Sequence, residues 1–174
     1  MASLIATLAR IALGRKPKIV CDRKTWLAGV SELRRRTGKV RESGAFLLGK
    51  KGDIRRIEEF VFYDDIDPKA LDTGIILFNG RRLSQLWRHC RETGQTVIAD
   101  VHVHPWGYGQ SQSDSDNPII AETGHFALIL PNFAARDHLD GGFGIYEYLG
   151  NRLWKDRSTE RPTLVQIGWW PKWK

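Results

Sequence analysis

Residues 96–105 read Thr-Val-Ile-Ala-Asp-Val-His-Val-His-Pro, and residues 106–118 continue WGYGQSQSDSDNP. The β-branched residues between Thr96 and Val103 suit a pleated, half-buried surface, so this stretch reads as a strand. Pro105 ends it, since proline brings no N–H to a ladder, and a loop rich in Gly and Ser follows. Side chains two apart on a strand point to one face, which groups Asp100, His102 and His104. Two imidazoles on one rigid element make half of a metal site with little entropy left to lose. The loop can then fold a carboxylate back as a third ligand. Three protein ligands plus a water is the make-up of catalytic zinc sites, whereas structural sites close with four. A lone His-x-His on a strand is more often no ligand pair. The weight here comes from the Pro, the Gly-rich loop and the Ser-x-x-Asp that follow.

Working outward, Asn79 can cap a helix in which Leu83, Leu86, Trp87 and Cys90 recur at helical spacing, and Gly94 suits its C-terminus. Lys18–Cys21 reads as a short strand. Asp22 then caps a helix with an apolar stripe of Trp26, Leu27, Val30 and Leu33, stopped by Gly38. Gly44–Gly49 is a compact apolar run, and a turn at Lys51-Gly52-Asp53 makes a hairpin with residues 54–63. A further short strand is expected near Ile75–Phe78. Downstream, His125–Leu130 reads as a strand, and Ile145–Leu149 and Leu153–Trp154 flank a Gly150-Asn151 turn. The whole implies an α+β domain with one mixed sheet and two principal helices.

A chain of 174 residues suits one domain and falls short of the roughly 250 residues of a (β/α)₈ barrel. No apolar run approaches the ~20 residues of a membrane span. A net charge of +7 and a pI of 9.6 raise a nucleic-acid reading, but the charge is uneven. Residues 1–60 hold 15 basic and 6 acidic side chains, residues 61–140 hold 6 and 11, and residues 141–174 hold 6 and 3. The histidine stretch thus lies in an acidic middle, where a phosphate site is least expected. Arg34-Arg35-Arg36, Lys50-Lys51 and Arg55-Arg56 read first as a solvated face. Cys21 and Cys90 form no framework and read as small buried side chains, consistent with a reducing, cytoplasmic setting. Residues 1–17 lack a charged start and are interrupted by Arg10, so they read as an amphipathic extension and not as a secretory signal. Residues 156–174 form a Trp-rich C-terminal extension, expected to dock on the domain.

Other His-x-His chemistries fit poorly. The His-x-His-x-Asp-His of metallo-β-lactamase-like hydrolases would need its Asp and last His where Trp106 and Gly107 stand. Amidohydrolase barrels are excluded by length, and His-Glu-x-x-His, P-loop and Gly-x-Gly-x-x-Gly patterns are absent.

His102-Val-His104-Pro105 followed by Ser111-x-x-Asp114 resembles the JAMM motif of the JAB/MPN-domain zinc metalloproteases. Upstream, Glu42-Ser-Gly44-Ala-Phe-Leu-Leu-Gly49 resembles that family's E-x-G-G-x-L-L-G segment, with Ala45 in place of a second Gly. The order of elements also agrees. The resemblance spans roughly residues 20–135 and is nearest to the bacterial JAB-domain branch, whose members often accompany ubiquitin-like and E1-like proteins. The gap between His104 and Ser111 is one residue shorter than usual, and Ser113 with Asp116 is the alternative pairing. Ser111 and Asp114 are preferred because Asp116 abuts Pro118.

The resemblance implies a JAB/MPN-like domain over residues 18–155, with a mixed, mostly antiparallel curved sheet flanked by two main helices. It implies one Zn(2+) per chain on His102, His104 and Asp114, with Glu42 as general base then acid and Ser111 stabilising the oxyanion. Asp100 would lie behind the ligands or be solvated, and Trp106 and Tyr108 would shape a substrate channel. The implied activity is isopeptidase or peptidase cleavage after the C-terminal glycine of a ubiquitin-like protein, with E1-like or E2-like partners. Two other classes stand beside it: a non-catalytic MPN-type scaffold, and a basic nucleic-acid-binding domain.

Overall fold

The computed structural model describes residues 17–161 and 163–168. The strands are β1 (Ile19–Cys21), β2 (Ser43–Lys50), β3 (Arg55–Phe62), β4 (Thr96–Val103), β5 (Phe126–Leu130), β6 (Gly144–Gly150), β7 (Leu153–Asp156) and β8 (Val165–Ile167). They form one sheet in the order β7-β6-β5-β4-β2-β3-β1-β8. β1 pairs in parallel with β3 and β8, and β4 with β5; the other pairings are antiparallel. The helices are α1 (Arg23–Thr37), α2 (Tyr63–Ile66), α3 (Leu83–Thr93) and α4 (Gln112–Asp116). The architecture is therefore α+β on a mixed sheet.

Local chemistry explains the helix ends. Asp22 Oδ1 accepts from Thr25 N at 2.9 Å, and Gly38 closes α1 at φ 53°. Asn79 Oδ1 accepts from Arg81 N at 3.1 Å, but it caps a 3₁₀ turn, Gly80–Arg82, that leads into α3; Gly94 ends α3 at φ 67°. Alternation along β2 sends Ala45 and Leu47 into one core layer and Phe46 and Leu48 into the other. α1 covers the first layer with Trp26, Val30 and Leu33, each worth about 1.5–3 kcal/mol of burial. α3 covers the second with Leu86 and Cys90.

Two glycines of the Gly44–Gly49 run are set by close approach. A Cβ on Gly49 would lie 1.7 Å from Arg56 O, at the bulge where the β2–β3 register shifts. A Cβ on Gly44 would lie 2.2 Å from the Tyr63 ring. Gly44 also sits opposite His102 in the β2–β4 ladder, so this contact borders the histidine strand.

The structure departs from the sequence expectations at three places. Ile75–Phe78 is irregular and not a strand: Ile76 N bonds to the Glu42 side chain and Leu77 N to Ala70 O, so no ladder is needed to satisfy the backbone. The β6–β7 turn is centred on Asn151 and Arg152, at φ 52° and 61°, one residue beyond the Gly150-Asn151 expectation. Two successive left-handed residues are what a tight hairpin turn demands. Finally, β8 lies within the stretch set aside as a C-terminal extension, so the sheet continues past residue 155. The amphipathic residues 1–16 and the Trp-rich residues 169–174 lie outside the described residues. Among the described residues, no helix is long and apolar enough to cross a membrane.

Candidate metal centre

His102 lies on a central strand, between Gly44 of β2 and Ile129 of β5. His104 follows the strand, anchored by its N–H to Leu130 O at 2.9 Å. Both rings are buried, and their Nε2 atoms are 3.0 Å apart. Ser111 is the N-cap of α4: its Oγ accepts from Asp114 N at 3.2 Å, and Asp114 Oδ2 accepts from Ser111 N at 2.8 Å. This reciprocal capping box fixes both side chains. It also brings Asp114 Oδ2 to 3.3 Å from His104 Nε2 and 3.6 Å from His102 Nε2.

The donor set fits a zinc ion. Two imidazole nitrogens and a carboxylate oxygen all lie within 4.8 Å of one another, and these are ligand types zinc takes. Tetrahedral ligands at 2.0–2.1 Å from an ion are about 3.3 Å apart, close to the observed donor spacings. Burial opposes a charge on His102, but Asp114, with Asp100 and Glu42 behind it, prevails and raises the imidazole pKa. Burial pushes Asp114 up, yet hydrogen bonds from His102 and His104 hold it well below the usual carboxylate range. Asp116 is not at the centre: its Oδ2 accepts from Gln112 Nε2 at 2.9 Å.

Glu42 precedes β2 and is held twice. Its N–H donates to Gly74 O at 2.9 Å, and its Oε2 accepts from Ile76 N at 3.1 Å. That leaves Oε1, 3.9 Å from His104 Nε2. Ser111 is exposed, with its Oγ accepting at the helix cap and its hydroxyl proton left to donate.

Asp100 is buried, not solvated. Its Oδ2 accepts from Tyr63 Oη at 3.1 Å, and its Oδ1 lies 2.5 Å from His125 Nε2. Burial first, and Asp100 second, push the Tyr63 phenol well above its ordinary pKa. The sequence patterns do not single out Tyr63, and they place His125 only at the start of a strand. No motif links 63, 100 and 125; they meet because Gly44 admits the Tyr63 ring and β5 runs in parallel beside β4.

A cavity of about 600 Å³ opens from His102 and Asp114, walled by Ile76, Phe78, Ile119 and Trp154. Trp106 and Tyr108, expected along a channel, are not among its lining residues, and Trp106 is 79% exposed. Their loop is pinned on another side: Trp106 O accepts from Asn132 N, and Tyr108 O accepts from Tyr146 Oη. The remaining histidines stand apart: His89 pairs with Glu59 at 3.0 Å, and His138 faces Gly141 O. The Arg34–Arg36 run is largely paired, with Asp137, Glu32, Asp64 and Asp65 as its partners. Cys21 and Cys90 are both buried free thiols.

No protein-family model matches the chain. The fold is similar to the solution structure of protein DSY2949 from Desulfitobacterium hafniense, with a TM-score of 0.61 and 14% identity, covering 88% of this chain and 95% of that one. At that identity the likeness speaks to fold alone, a mixed α+β domain.

Proposed function

We propose that this chain is a zinc-dependent peptidase or isopeptidase of the JAMM type, on a JAB/MPN-like fold. Its substrate on this reading is a ubiquitin-like protein, cleaved after its C-terminal glycine, with E1-like or E2-like proteins as partners. One observation carries the reading: the convergence of His102, His104 and Asp114, with the free oxygen of Glu42 beside His104.

His102, His104 and Asp114 would hold the ion. A bound zinc supplies a Lewis acid that polarises an amide carbonyl and makes water acidic enough to ionise near neutral pH. Glu42, steadied by Ile76 N–H, is placed to take a proton through Oε1 and later to return it to the leaving amine. Ser111, rigid at its cap, can donate its hydroxyl proton to a developing oxyanion. The apolar walls of the cavity suit an extended tail of small residues laid across the centre. Pairing of the Arg34–Arg36 run with carboxylates weakens the nucleic-acid alternative.

The test is incubation of zinc-loaded protein with a ubiquitin-like protein extended beyond its terminal glycine, read by mass spectrometry. Cleavage at that glycine is expected. Glu42→Gln should lower the rate by about 10²–10⁴-fold while zinc stays bound. An active Glu42→Gln protein would remove Glu42 from its role, and a wild type that takes up no zinc and cleaves nothing would favour the scaffold class.

A further inference from the structure

After β5 and Pro131, residues Asn132–Ala134 carry left-handed backbone at three successive positions, with φ of 55°, 53° and 52°. Among the described residues it is the only run of three free of glycine. Left-handed backbone crowds the Cβ of an L-residue against the following carbonyl, and of these three only asparagine tolerates it well. The local sequence therefore does not select this turn, and contacts from elsewhere must hold it. Two of them come from the α1 side. Phe133 packs against the core layer that contains Trp26 and Leu33. Arg34 donates from Nε to Ala134 O at 2.6 Å and from Nη2 to Asp137 Oδ1 at 2.9 Å.

The other contacts reach the metal centre. The first N–H groups of a helical turn have no partner within it, and here the internal bonds begin with Ala134 N to Pro131 O at 3.0 Å. The two N–H groups before it go to the carbonyls on either side of Pro105. Phe133 N donates to His104 O at 2.9 Å, and Asn132 N donates to Trp106 O at 2.8 Å. His104 lies just past the end of β4, and Pro105 has no N–H with which to extend a ladder. Its N–H is held by Leu130 O and its carbonyl by Phe133 N, so the stretch from Leu130 to Phe133 fixes its backbone at both groups. His102, two residues earlier, is fixed by β2 on one side and β5 on the other. The turn thus does for His104 what the sheet does for His102, and the two Nε2 atoms stand 3.0 Å apart.

We infer that Arg34 and Phe133 are positioning residues for the metal centre. They hold the left-handed turn, whose N–H groups fix the backbone of His104 and so keep its imidazole beside the donors of His102 and Asp114. Neither residue touches the ion. The inference rests on the reading of His104 as a zinc ligand.

Calorimetric zinc titration of wild type, Arg34→Met, Phe133→Ala and Asp137→Ala tests it, with urea unfolding of each to show that it is folded. Hydrogen exchange of the same metal-free proteins is the second readout. Arg34→Met removes the donor to Ala134 O, and Phe133→Ala frees the turn from the core while keeping its N–H. Both should weaken zinc binding by about tenfold or more. In both, the Asn132 and Phe133 amides should exchange at least about tenfold faster, with β4 and β5 unchanged. Asp137→Ala removes only the exposed ion pair of Arg34, so its zinc affinity should stay within about twofold of wild type. Variants that lose stability yet bind zinc as tightly as wild type would overturn the inference and leave the metal reading standing. An Asp137→Ala protein weakened as much as Arg34→Met would trace the effect to charge and overturn it as well. A wild type that takes up no zinc removes the metal reading, and this inference with it.

Discussion

Gly44→Ala is a small change with a large expected effect. Its Cβ would lie 2.2, 2.6 and 3.0 Å from three atoms of the Tyr63 ring. That ring is fully buried, with the Phe46 ring centroid at 4.8 Å and that of Phe78 at 5.7 Å. To restore ordinary contact the ring must move by about 1 Å or more, which strains the Tyr63–Asp100 hydrogen bond of 3.1 Å. Overpacking of this kind costs about 1–3 kcal/mol. A buried carboxylate oxygen that loses its donor adds about 1–3 kcal/mol. The reduced freedom of the unfolded chain returns about 0.4–1 kcal/mol. The net expectation is a loss of about 1–6 kcal/mol, and each kcal/mol should lower Tm by about 2–4 °C in a chain of this size. Urea unfolding, with an unchanged slope and a lower midpoint, reads it directly. Tyr63→Leu removes the ring, so in that background Gly44→Ala should cost less by about 1 kcal/mol or more. A neutral Gly44→Ala, or an equal cost in both backgrounds, would refute the close-approach explanation.

Other outcomes follow from the same contacts. His125→Ala leaves a buried Asp100 oxygen without its hydrogen-bond partner, and such an unsatisfied group should cost about 1–3 kcal/mol; Asp100→Asn, which keeps shape and hydrogen-bonding groups, should cost less by urea unfolding. Hydrogen bonding from Arg35, then Arg36, lowers the Glu32 pKa to about 2 from an ordinary 4.5. Its stabilisation is therefore present above pH 4.5 and lost as pH falls toward 2. With the side chain 28% exposed, Glu32→Gln should flatten acid unfolding in that window by no more than about 1 kcal/mol; an unaltered acid limb would contradict the pairing. Burial, then Asp22, pushes the Cys21 thiol up to about 12, and burial raises Cys90 as well. A thiol reagent at pH 8 should find neither cysteine in the folded protein and both in denaturant, and rapid labelling of native protein would contradict the buried placement.

The sequence was most legible where a local rule decides the structure. Asp22, Gly38, Asn79 and Gly94 mark helix ends through capping and left-handed backbone, and both depend on near neighbours. The strand carrying His102 and His104 was legible through its β-branched residues and the stop at Pro105. Asp114 came from the Ser-x-x-Asp of the resemblance, and the capping box with Ser111 is what brings it to the histidines. Long-range register was hidden. Tyr63 and His125 reach Asp100 from 37 and 25 positions away through sheet pairing, for which no spacing rule exists. Residues 75–78 look like a strand because they are apolar, yet their backbone is satisfied by Glu42 and Ala70. β8 is three residues, too short for the alternation of Val165, Gln166 and Ile167 to mark a strand, and its pairing with β1 defines it. Trp106 and Tyr108 follow His104 closely in sequence, and that adjacency says nothing about which way the loop turns.

Zinc titration into metal-free protein, with binding measured by calorimetry and stoichiometry by metal analysis, decides between a metal enzyme and a protein of the same fold without a metal. One ion per chain is expected in the wild type and in Asp116→Asn. His102→Ala, His104→Ala and Asp114→Asn should each weaken binding by more than the about 10–100-fold that loss of an outer hydrogen-bond partner costs. A wild-type protein that takes up no zinc, or an Asp114→Asn variant that binds as tightly as wild type, would contradict the assignment.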